Sequence, residues 1–270
     1  MTVDILIATL NEGIENIFDI FLEPQEGLNY KISHQVTNDK DYKQVYQKYA
    51  SRLDIKIVSY HTKGLSKNRN HLLDISDANI GVIMDDDVKL SPNIYEIISD
   101  TFINHPQADI ITFQTSNAYN RNKRYSPTSY KHTRKTIASV SSIEIAFKVD
   151  KIKQYQLYFD ERFGLGSIYP MGEEFIWLSD AYNKGLTIEY EPKIISFHNA
   201  QSSGFSLQKE VLMARGAVYF RVFGWQSILL YIYSMLKHYP RYKKLYKPWD
   251  YFMLLYSGAK SFQNKELLNV

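Results

Sequence analysis

Short apolar runs and longer amphipathic segments alternate along the first 115 residues of the chain. The apolar runs end at polar residues, and they predict buried strands at residues 3–9, 29–36, 54–60, 79–87 and 108–115. The amphipathic segments predict helices at residues 41–52, 64–78 and 90–106. Strands that alternate with helices are typical of βαβ units. We therefore predict an α/β fold with a mainly parallel central sheet flanked by helices.

Two of these helices carry recognisable start signals. Ser66 is the expected N-cap of the second helix. Ser91 followed by Pro92 suits the N-cap and first helical position of the third helix, which Pro106 is expected to end.

The pattern is less regular after residue 115. Residues 115–136 are polar, basic and short of aliphatic side chains, so we expect a long loop or an irregular excursion there. Strands are predicted at 141–149 and 186–199, with a helix between them that begins after Gly172. From residue 207 onward the sequence predicts a helical C-terminal extension.

The composition narrows the class of protein. The chain has 270 residues, a formal net charge of +3 and no cysteine. One domain, or one domain with an appendage, is the expectation for this length. The lack of cysteine excludes disulfides and thiolate metal sites, and it fits a reducing cytoplasm. A charge so near neutral argues against a general nucleic-acid binder.

Neither a signal peptide nor a membrane-spanning helix is expected. The N-terminal run contains Asp4 and has no basic region ahead of it, which favours a first strand. The longest nearly apolar stretch, residues 222–236, contains Gln226 and is shorter than the ~20 residues that a spanning helix needs.

The segments LNE, residues 10–12, and Asp85-Asp86-Asp87 lie at the carboxyl ends of two of the predicted strands. Ligands of parallel sheets bind beyond the carboxyl ends of the strands, so we expect these residues at one crevice. Strand alternation would point Asp85 and Asp87 to one side and Asp86 to the other. The pair would suit Mg²⁺ or Mn²⁺, with positions left for substrate phosphates. His198 would be a third ligand or a structural residue, and a solvated turn is the alternative for the triple Asp.

Two further features allow either chemistry or a purely structural role. In GLSKNRN, residues 64–70, Gly64 permits a close backbone approach, and Arg69 would reach a phosphate or hold a carboxylate. The same segment suits the polar start of an amphipathic helix. Glu173 and Glu174 at a predicted helix start either compensate the helix dipole or supply a general base.

These motifs together resemble the family 2 glycosyltransferases, which have the Rossmann-like GT-A fold. The segments that carry the resemblance lie in the family's order between residues 3 and 204, and they read ILIATLNE, GLSKNRNHLL, IGVIMDDDV, FDERFGLGSIYPMGEEFIWLSDAYNKGLTIEYEP and ISFH. The specificity comes from the order and spacing of the motifs, since each is weak alone. The last part looks like the bacterial enzymes that build surface polysaccharides.

The resemblance implies a role for each matching residue. Thr9, Asn11 and Glu12 would lie along the nucleotide of a sugar donor. Asp85 and Asp87 would be the outer members of the family's Asp-x-Asp motif, touching ribose and metal-diphosphate. The implied donor-binding residues are Thr9, Asn11, Glu12, Gln35, Gly64, Lys67, Arg69, Asp85 and Asp86. The implied metal ligands are Asp85, Asp87 and His198.

Two positions differ from the family's usual pattern. Glu173-Glu174 stands where the family usually has Glu-Asp with the second member as general base, so Glu174 is the implied base and Glu173 the fallback. The family often has an Asp-Gly-Ser-type turn after the second strand that helps to hold the nucleobase. This chain has SHQVTND, where Gln35, Asn38 or Asp39 would substitute.

The function implied by the resemblance is that of a metal-dependent, inverting glycosyltransferase that uses Mn²⁺ or Mg²⁺. Its donor would be a nucleotide sugar, with UDP favoured over GDP, and its acceptor a glycan or a lipid-linked sugar. Residues 1–206 would form a cytoplasmic GT-A catalytic domain, with a nucleotide-sugar half at about 1–115 and an acceptor half at about 116–206. Residues 207–270 would form a helical subdomain.

Residues 237–251 interleave basic and aromatic side chains. This mixture suits peripheral docking on an anionic cytoplasmic membrane surface. It equally suits a subdomain that packs on the catalytic core or forms a homo-oligomer. Contact with nucleic acid is the least favoured of these interpretations.

Two other functions stay open from the sequence. A nucleotidyltransferase would also use a parallel sheet, a carboxylate pair and Mg²⁺, but it normally has a Gly-rich, basic phosphate loop after the first strand. Here LNEGIENI has one Gly and no Lys or Arg. A non-catalytic carbohydrate- or membrane-binding module with a structural cation would bind metal without any affinity for nucleotides.

Overall fold

A computed structural model describes residues 1–116, 125–198 and 206–268, which form a mixed sheet with helices on both faces. The strands are β1 (Val3–Leu10), β2 (Leu28–Gln35), β3 (Ile55–Tyr60), β4 (Ile80–Asp85), β5 (Val88–Leu90), β6 (Ile110–Ser116), β7 (Tyr130–Lys131), β8 (Ile145–Lys148) and β9 (Ile188–His198). The helices are α1 (Lys43–Tyr49), α2 (Leu65–Ile75), α3 (Ile94–Asn104), α4 (Arg134–Ile137), α5 (Val149–Gln154), α6 (Glu173–Asn183), α7 (Lys209–Phe223), α8 (Ser227–Tyr242) and α9 (Pro248–Leu268).

The sheet follows the order β3-β2-β1-β4-β8-β6-β9-β5, and β7 also pairs with β9. The strands β3, β2, β1 and β4 are parallel neighbours, and β6 and β9 point the same way. The strands β8, β5 and β7 run in the opposite direction. The predicted α/β fold with a mainly parallel sheet is therefore confirmed. The antiparallel additions around β8 and β9 were not predicted.

Alternate side chains of β1 enter two separate cores, one on each face of the sheet. On one face, Ile5 packs in a cluster that includes Ile94 of α3. On the other, Leu6 joins Leu72 of α2 and the buried ring of Trp177 of α6. A strand that is buried on both faces reads as a continuous apolar run, which is why the first strand was recognisable from the sequence.

The helix α2 begins two residues before the position that an N-cap at Ser66 predicts. Its N-cap residue is Gly64, which has a φ of 123°, and Leu65 is already helical. Ser66 is not the N-cap, because its Oγ donates a hydrogen bond to the carbonyl of Phe163 at 2.6 Å. The hydroxyl therefore joins α2 to the loop that precedes α6.

The helix α3 begins later than predicted, with Asn93 as its N-cap residue. The Ser91 N–H donates to the carbonyl of Ile195 at 2.9 Å, which extends the pairing of β5 with β9 by one residue. Ser91 is thus part of the sheet edge and not of the helix.

The segment predicted as a long loop contains short elements. Residues 117–124 of this segment lie outside the described residues. Further on, β7 pairs with β9 through Tyr130 opposite Tyr190, and their rings stack with centroids 4.7 Å apart. The segment therefore contains a short strand, and a strand of two residues is too short to leave a periodic pattern in the sequence.

The predicted helical region at the C-terminus is present as α7, α8 and α9. The helices α7 and α9 cross at two glycines. A Cβ on Gly216 would lie 1.8 Å from the Leu255 carbonyl oxygen, and one on Gly258 would lie 1.8 Å from the Met213 carbonyl oxygen. Only residues without a side chain allow this approach.

The C-terminal helices also pack on the sheet domain. Phe262 of α9 lies against Phe163 and Tyr169, and Arg221 of α7 forms ion pairs with Asp160 and Asp180. The predicted boundary between residues 206 and 207 adjoins the undescribed residues 199–205 and stays a prediction. In the described residues, no helix is long and apolar enough to cross a bilayer.

Candidate active site

The carboxyl ends of β3, β2, β1 and β4 lie side by side, at the edge of the sheet where the sequence predicts a crevice, and we call this region the crevice. Ala8 of β1 pairs with Asp85 of β4, and Thr9 pairs with His34 of β2. The polar residues after each strand are therefore close in space although they are far apart in the chain.

Arg69 of α2 is the centre of this crevice. Its side chain is 2% exposed. Its Nη1 donates to Glu173 Oε1 at 2.8 Å, and its Nη2 donates to Asp85 Oδ1 and to Ser142 Oγ, both at 2.9 Å. The guanidinium also lies 5.7 Å from the centroid of the Phe159 ring. One side chain thus joins the ends of β4 and α6.

Burial alone would make the Arg69 cation unfavourable. Desolvation lowers the pKa of Arg69, but the negative charges of Asp85 and Glu173 outweigh it and raise the pKa. The Nε atom of Arg69 is buried without a hydrogen-bond partner. The sequence left two roles open for Arg69, which were to bind a phosphate or to hold a carboxylate. The geometry matches the second role.

The three aspartates make three different contacts. The strand β4 ends at Asp85, and Asp86 and Asp87 form the turn into β5. The predicted alternation is therefore wrong beyond Asp85, because alternation holds only within a strand. Asp85 accepts from Arg69, Asp86 from Thr9, and Asp87 Oδ2 lies next to His198.

The Asp86 side chain contacts the end of β1 and the start of the loop that follows β1. Thr9 Oγ1 donates to Asp86 Oδ2 at 2.5 Å. A Cβ on Gly13 would lie 2.1 Å from the same Asp86 oxygen, so any larger residue there would displace the Asp86 carboxylate. Burial raises the pKa of Asp86, and the hydrogen bond from Thr9 opposes that rise. Asn68 Nδ2 fixes the same strand end by donating to the Thr9 carbonyl at 3.1 Å.

Asp87 and His198 are the residues best placed for a cation. His198 Nε2 lies 3.1 Å from Asp87 Oδ2, and the Asp87 side chain is 54% exposed. Among the described residues, no three His, Cys, Asp or Glu side chains lie close enough together to hold a metal ion. Mg²⁺ is commonly held by one or two protein ligands and completed by substrate phosphates. The pair therefore fits a cation that arrives with a diphosphate.

Glu173 and Glu174 begin α6 and differ in their surroundings. Gly172 before them has a φ of 82°, and a Cβ there would lie 2.7 Å from Val218 of α7. Glu173 is buried against Arg69. Glu174 Oε2 is enclosed and has no hydrogen-bond partner. Burial and the neighbouring Glu173 carboxylate raise the pKa of Glu174 to about 8.

The outer rim of the crevice joins the loops after β1 and β2. Asn11 has a positive φ of 48°, and its side chain exchanges hydrogen bonds with Thr37 at 2.8 and 2.9 Å. Asn38 Nδ2 donates to Glu12 Oε1 at 2.9 Å. Asn tolerates left-handed backbone better than most residues. The SHQVTND segment thus packs on the predicted nucleotide residues.

Gln35, Gly64 and Lys67 lie on the β3 side of the crevice. Gln35 Nε2 donates to the Gly64 carbonyl at 3.1 Å and to Thr62 Oγ1 at 3.0 Å. A Cβ on Gly64 would lie 3.2 Å from Ser167 Oγ. Lys67 is exposed on the first turn of α2. The structure places all three near the strand ends, and their role in donor binding stays a prediction.

Asn68 and Ser142 are two residues of the site that were not predicted from the sequence. Asn68 lies inside the GLSKNRN segment, where helical spacing from Gly64 would have placed it on the inward side. Ser142 precedes β8, in a turn whose Ser141 and Glu144 form a capping box. The Ser-x-x-Glu spacing was visible in the sequence, and the strand predicted at 141–149 begins only at Ile145.

Comparisons with known proteins give a match in structure but none in sequence. No protein-family profile matches the chain, and no curated protein is detectably similar to it in sequence.

The fold is similar to solved structures of TarS from S. aureus, a glycosyltransferase. TarS 1–349 in complex with UDP-GlcNAc has a TM-score of 0.66 at 14% identity, and the match covers 92% of this chain and 76% of that one. The complex of TarS 1–349 with UDP has a TM-score of 0.64 at 15% identity, covering 91% and 74%. A longer TarS chain has a TM-score of 0.65, and this chain spans 50% of it.

The chain therefore has a GT-A-like glycosyltransferase fold, as the resemblance of its motifs implied.

The raised pKa of Glu174 predicts a pH-dependent effect of the substitution Glu174→Gln on stability. Between pH 4.5 and about 8 the folded state holds a proton on Glu174 that the unfolded state has lost, so this residue makes stability fall as pH rises. Glutamine has no proton to lose, so it removes this fall in stability with pH. We expect Glu174→Gln to stabilise the protein by at least about 1 kcal/mol more at pH 8 than at pH 5, measured by urea unfolding.

The control for this experiment is Glu26→Gln, which changes an exposed carboxylate. It should shift the free energy of unfolding by less than about 0.5 kcal/mol at both pH values. An equal effect of Glu174→Gln at pH 5 and pH 8 would contradict a raised Glu174 pKa.

Proposed function

We propose that this chain is a glycosyltransferase that moves a sugar from a UDP-sugar to a hydroxyl group in bacterial surface-polysaccharide synthesis. The observation that carries the proposal is the linked set of carboxylates at the strand ends. Asp85 and Glu173 share Arg69, and Glu174 stands beside them with a raised pKa. A strongly perturbed carboxylate in the crevice of this fold is a candidate general base.

The donor side of the proposal rests on the first four strands. Thr9, Asn11, Glu12 and the Asp85–Asp87 turn lie at the ends of β1 and β4, where open parallel sheets bind ligands. The TarS structures of similar fold hold UDP and UDP-GlcNAc. The strand ends favour a ligand site at this position, and the TarS complexes favour UDP as the nucleotide of the donor.

Asp87 and His198 would hold a divalent cation, Mn²⁺ or Mg²⁺, together with the donor's diphosphate. Such a cation neutralises the charge of a diphosphate leaving group. Arg69 is not available for that task, because its Nη atoms are bonded to Asp85, Glu173 and Ser142.

The transfer itself is a single displacement. Ionised Glu174 accepts the proton of an acceptor hydroxyl, and the oxygen bonds to the anomeric carbon of the sugar. The bond from that carbon to the diphosphate oxygen breaks on the opposite face, and UDP leaves with the electron pair. One displacement inverts the configuration at the anomeric carbon. Glu173 is less suited to the proton transfer, because its carboxylate is bonded to the Arg69 guanidinium.

The acceptor in this proposal is a glycan or a lipid-linked sugar at the cytoplasmic face of the cell membrane. Its binding region would lie beside α6 and the segment around Tyr125, where the Tyr125 hydroxyl donates to the buried Glu144 carboxylate at 2.6 Å.

Titration calorimetry with UDP and GDP, each with and without Mn²⁺, tests the donor assignment. We expect UDP to bind more tightly than GDP. Mn²⁺ should strengthen UDP binding at least about tenfold, because the cation offsets the charge of the diphosphate. Asp87→Asn should remove most of that gain. Asp150→Asn, an exposed carboxylate next to the opposite end of β4, should leave it unchanged.

Two results would contradict the proposal, one from this titration and one from a parallel binding and turnover assay with nucleoside triphosphates. Cation binding with no affinity for UDP would favour a non-catalytic binding module. Tight binding of a nucleoside triphosphate, with pyrophosphate released on turnover, would favour a nucleotidyltransferase.

Release of UDP from UDP-GlcNAc, with water as acceptor, tests Glu174 as the base. We expect kcat/KM to rise with pH and to level above about 8, because the free enzyme must lose the Glu174 proton before it can accept another. Glu174→Gln should lower the rate at least about 100-fold while leaving UDP affinity unchanged. Near-normal turnover by Glu174→Gln would exclude this base and return the role to Glu173.

A further inference from the structure

The helix α8 is amphipathic, but its apolar side is exposed and its more polar side is buried. Its apolar side chains face outward at helical spacing, and they are Ile228, Leu229, Ile232, Tyr233 and Leu236. At 3.6 residues per turn these positions fall within an arc of about 140°. We call this arc the α8 face. Leu229 and Leu236 are each 67% exposed, and Trp225, just before the helix, is 68% exposed.

The inward side of α8 is more polar than the α8 face. Its buried residues are Ser227, Tyr231, Ser234 and Tyr242. Tyr231 OH donates to the Gly216 carbonyl at 3.0 Å, and Ser234 Oγ lies 3.0 Å from Tyr251 OH. The polar groups that α8 turns towards the protein are thus satisfied by hydrogen bonds. The apolar side chains that α8 turns outward are exposed in the part of the chain that the structure describes.

The connection to α9 continues the exposed apolar surface. Leu245 is 64% exposed and Trp249 is 66% exposed. Apolar side chains scattered singly on a surface are ordinary, but a contiguous set along one helix marks a surface for a partner. Tryptophan and tyrosine, which have an apolar ring and a polar tip, are typical of the boundary between a bilayer and water.

The charge of this region selects the kind of partner. Residues 211–249 contain seven Lys or Arg side chains and no Asp or Glu. Lys243, Lys244 and Lys247 are exposed directly after α8. A second copy of the chain would bring the same excess of positive charge to the contact, whereas an anionic bilayer has the opposite charge.

We propose that the α8 face docks on an anionic bilayer, with α8 lying in the plane of the interface and the lysines after it against the lipid phosphates. The apolar arc enters the boundary between headgroups and acyl chains, and Trp225 lies at its edge. This inference does not depend on the transferase activity, since it rests only on the exposed surface and the charge of α8 and of the residues next to it.

Sedimentation of the full chain with vesicles tests the inference. The probes are vesicles of phosphatidylcholine with about 30% phosphatidylglycerol and vesicles of phosphatidylcholine alone. We expect the bound fraction on the anionic vesicles to be at least about tenfold higher, and to fall in about 0.5 M salt because salt screens the lysines. Emission from Trp225 and Trp249 should shift to shorter wavelength on binding.

Matched variants distinguish binding through the α8 face from nonspecific binding through other exposed apolar side chains. Leu229→Ser combined with Leu236→Ser should lower binding to anionic vesicles at least about tenfold. Leu53→Ser combined with Ile103→Ser changes side chains that are 101% and 62% exposed elsewhere on the surface, and it should leave binding unchanged. Replacing Lys243, Lys244 and Lys247 with Gln should remove the preference for anionic vesicles. Because all these positions are exposed, the variants should unfold like the parent.

Three outcomes would overturn the inference. The first is equal binding to both kinds of vesicle at every salt concentration. The second is an equal loss of binding in the Leu229/Leu236 variant and in the Leu53/Ile103 variant. The third is a dimer, seen by light scattering, that Leu229→Ser with Leu236→Ser dissociates while the protein binds no vesicles. The last outcome would assign the α8 face to a second copy of the chain.

Discussion

The crevice of this protein depends on one buried cation. Arg69 lies at 2% exposure between Asp85, at the end of β4, and Glu173, at the start of α6. A buried charge is tolerated only when it is paired and hydrogen-bonded. The two carboxylates therefore cannot move apart without leaving a charge uncompensated. This constraint fixes the carboxyl end of β4 against the helix α6, which begins with Glu173 and Glu174. The Glu174 Oε2 atom is enclosed there, and burial raises the pKa of the Glu174 carboxyl.

The parts of the fold that the sequence predicted are those with a clear period. The strand β1 is buried on both faces and gives an unbroken apolar run, and the helices α2, α3 and α6 bury one side each. The predicted site residues also meet at the strand ends, because parallel strands all end at the same edge. Their partners were harder to predict. Whether Arg69 faces a phosphate or Glu173 depends on a contact between residues 104 positions apart, and the sequence has no periodic signal for such a contact.

In the C-terminal helices, too, buried polar groups are paired, but here the helix α8 turns its apolar side outward. The helices α7 and α9 approach so closely that only Gly216 and Gly258 fit at their crossing, and α8 packs beside them with its hydroxyl-bearing side inward. The sequence indicated basic and aromatic residues in this region but not which side of the helix would be exposed. That choice follows from hydrogen bonds such as the one from Tyr231 to the Gly216 carbonyl. The apolar side is left facing outward, beside a cluster of lysines.

A double-mutant cycle between Asp85 and Glu173 is the most direct test of the central claim, that Arg69 couples the two ends of the crevice. The free energies of unfolding of the parent, Asp85→Asn, Glu173→Gln and the double variant would be measured by urea titration. If both carboxylates act through the same guanidinium, the two effects are not independent. The coupling energy should then be at least about 1 kcal/mol. Effects that add to within about 0.5 kcal/mol would contradict the claim.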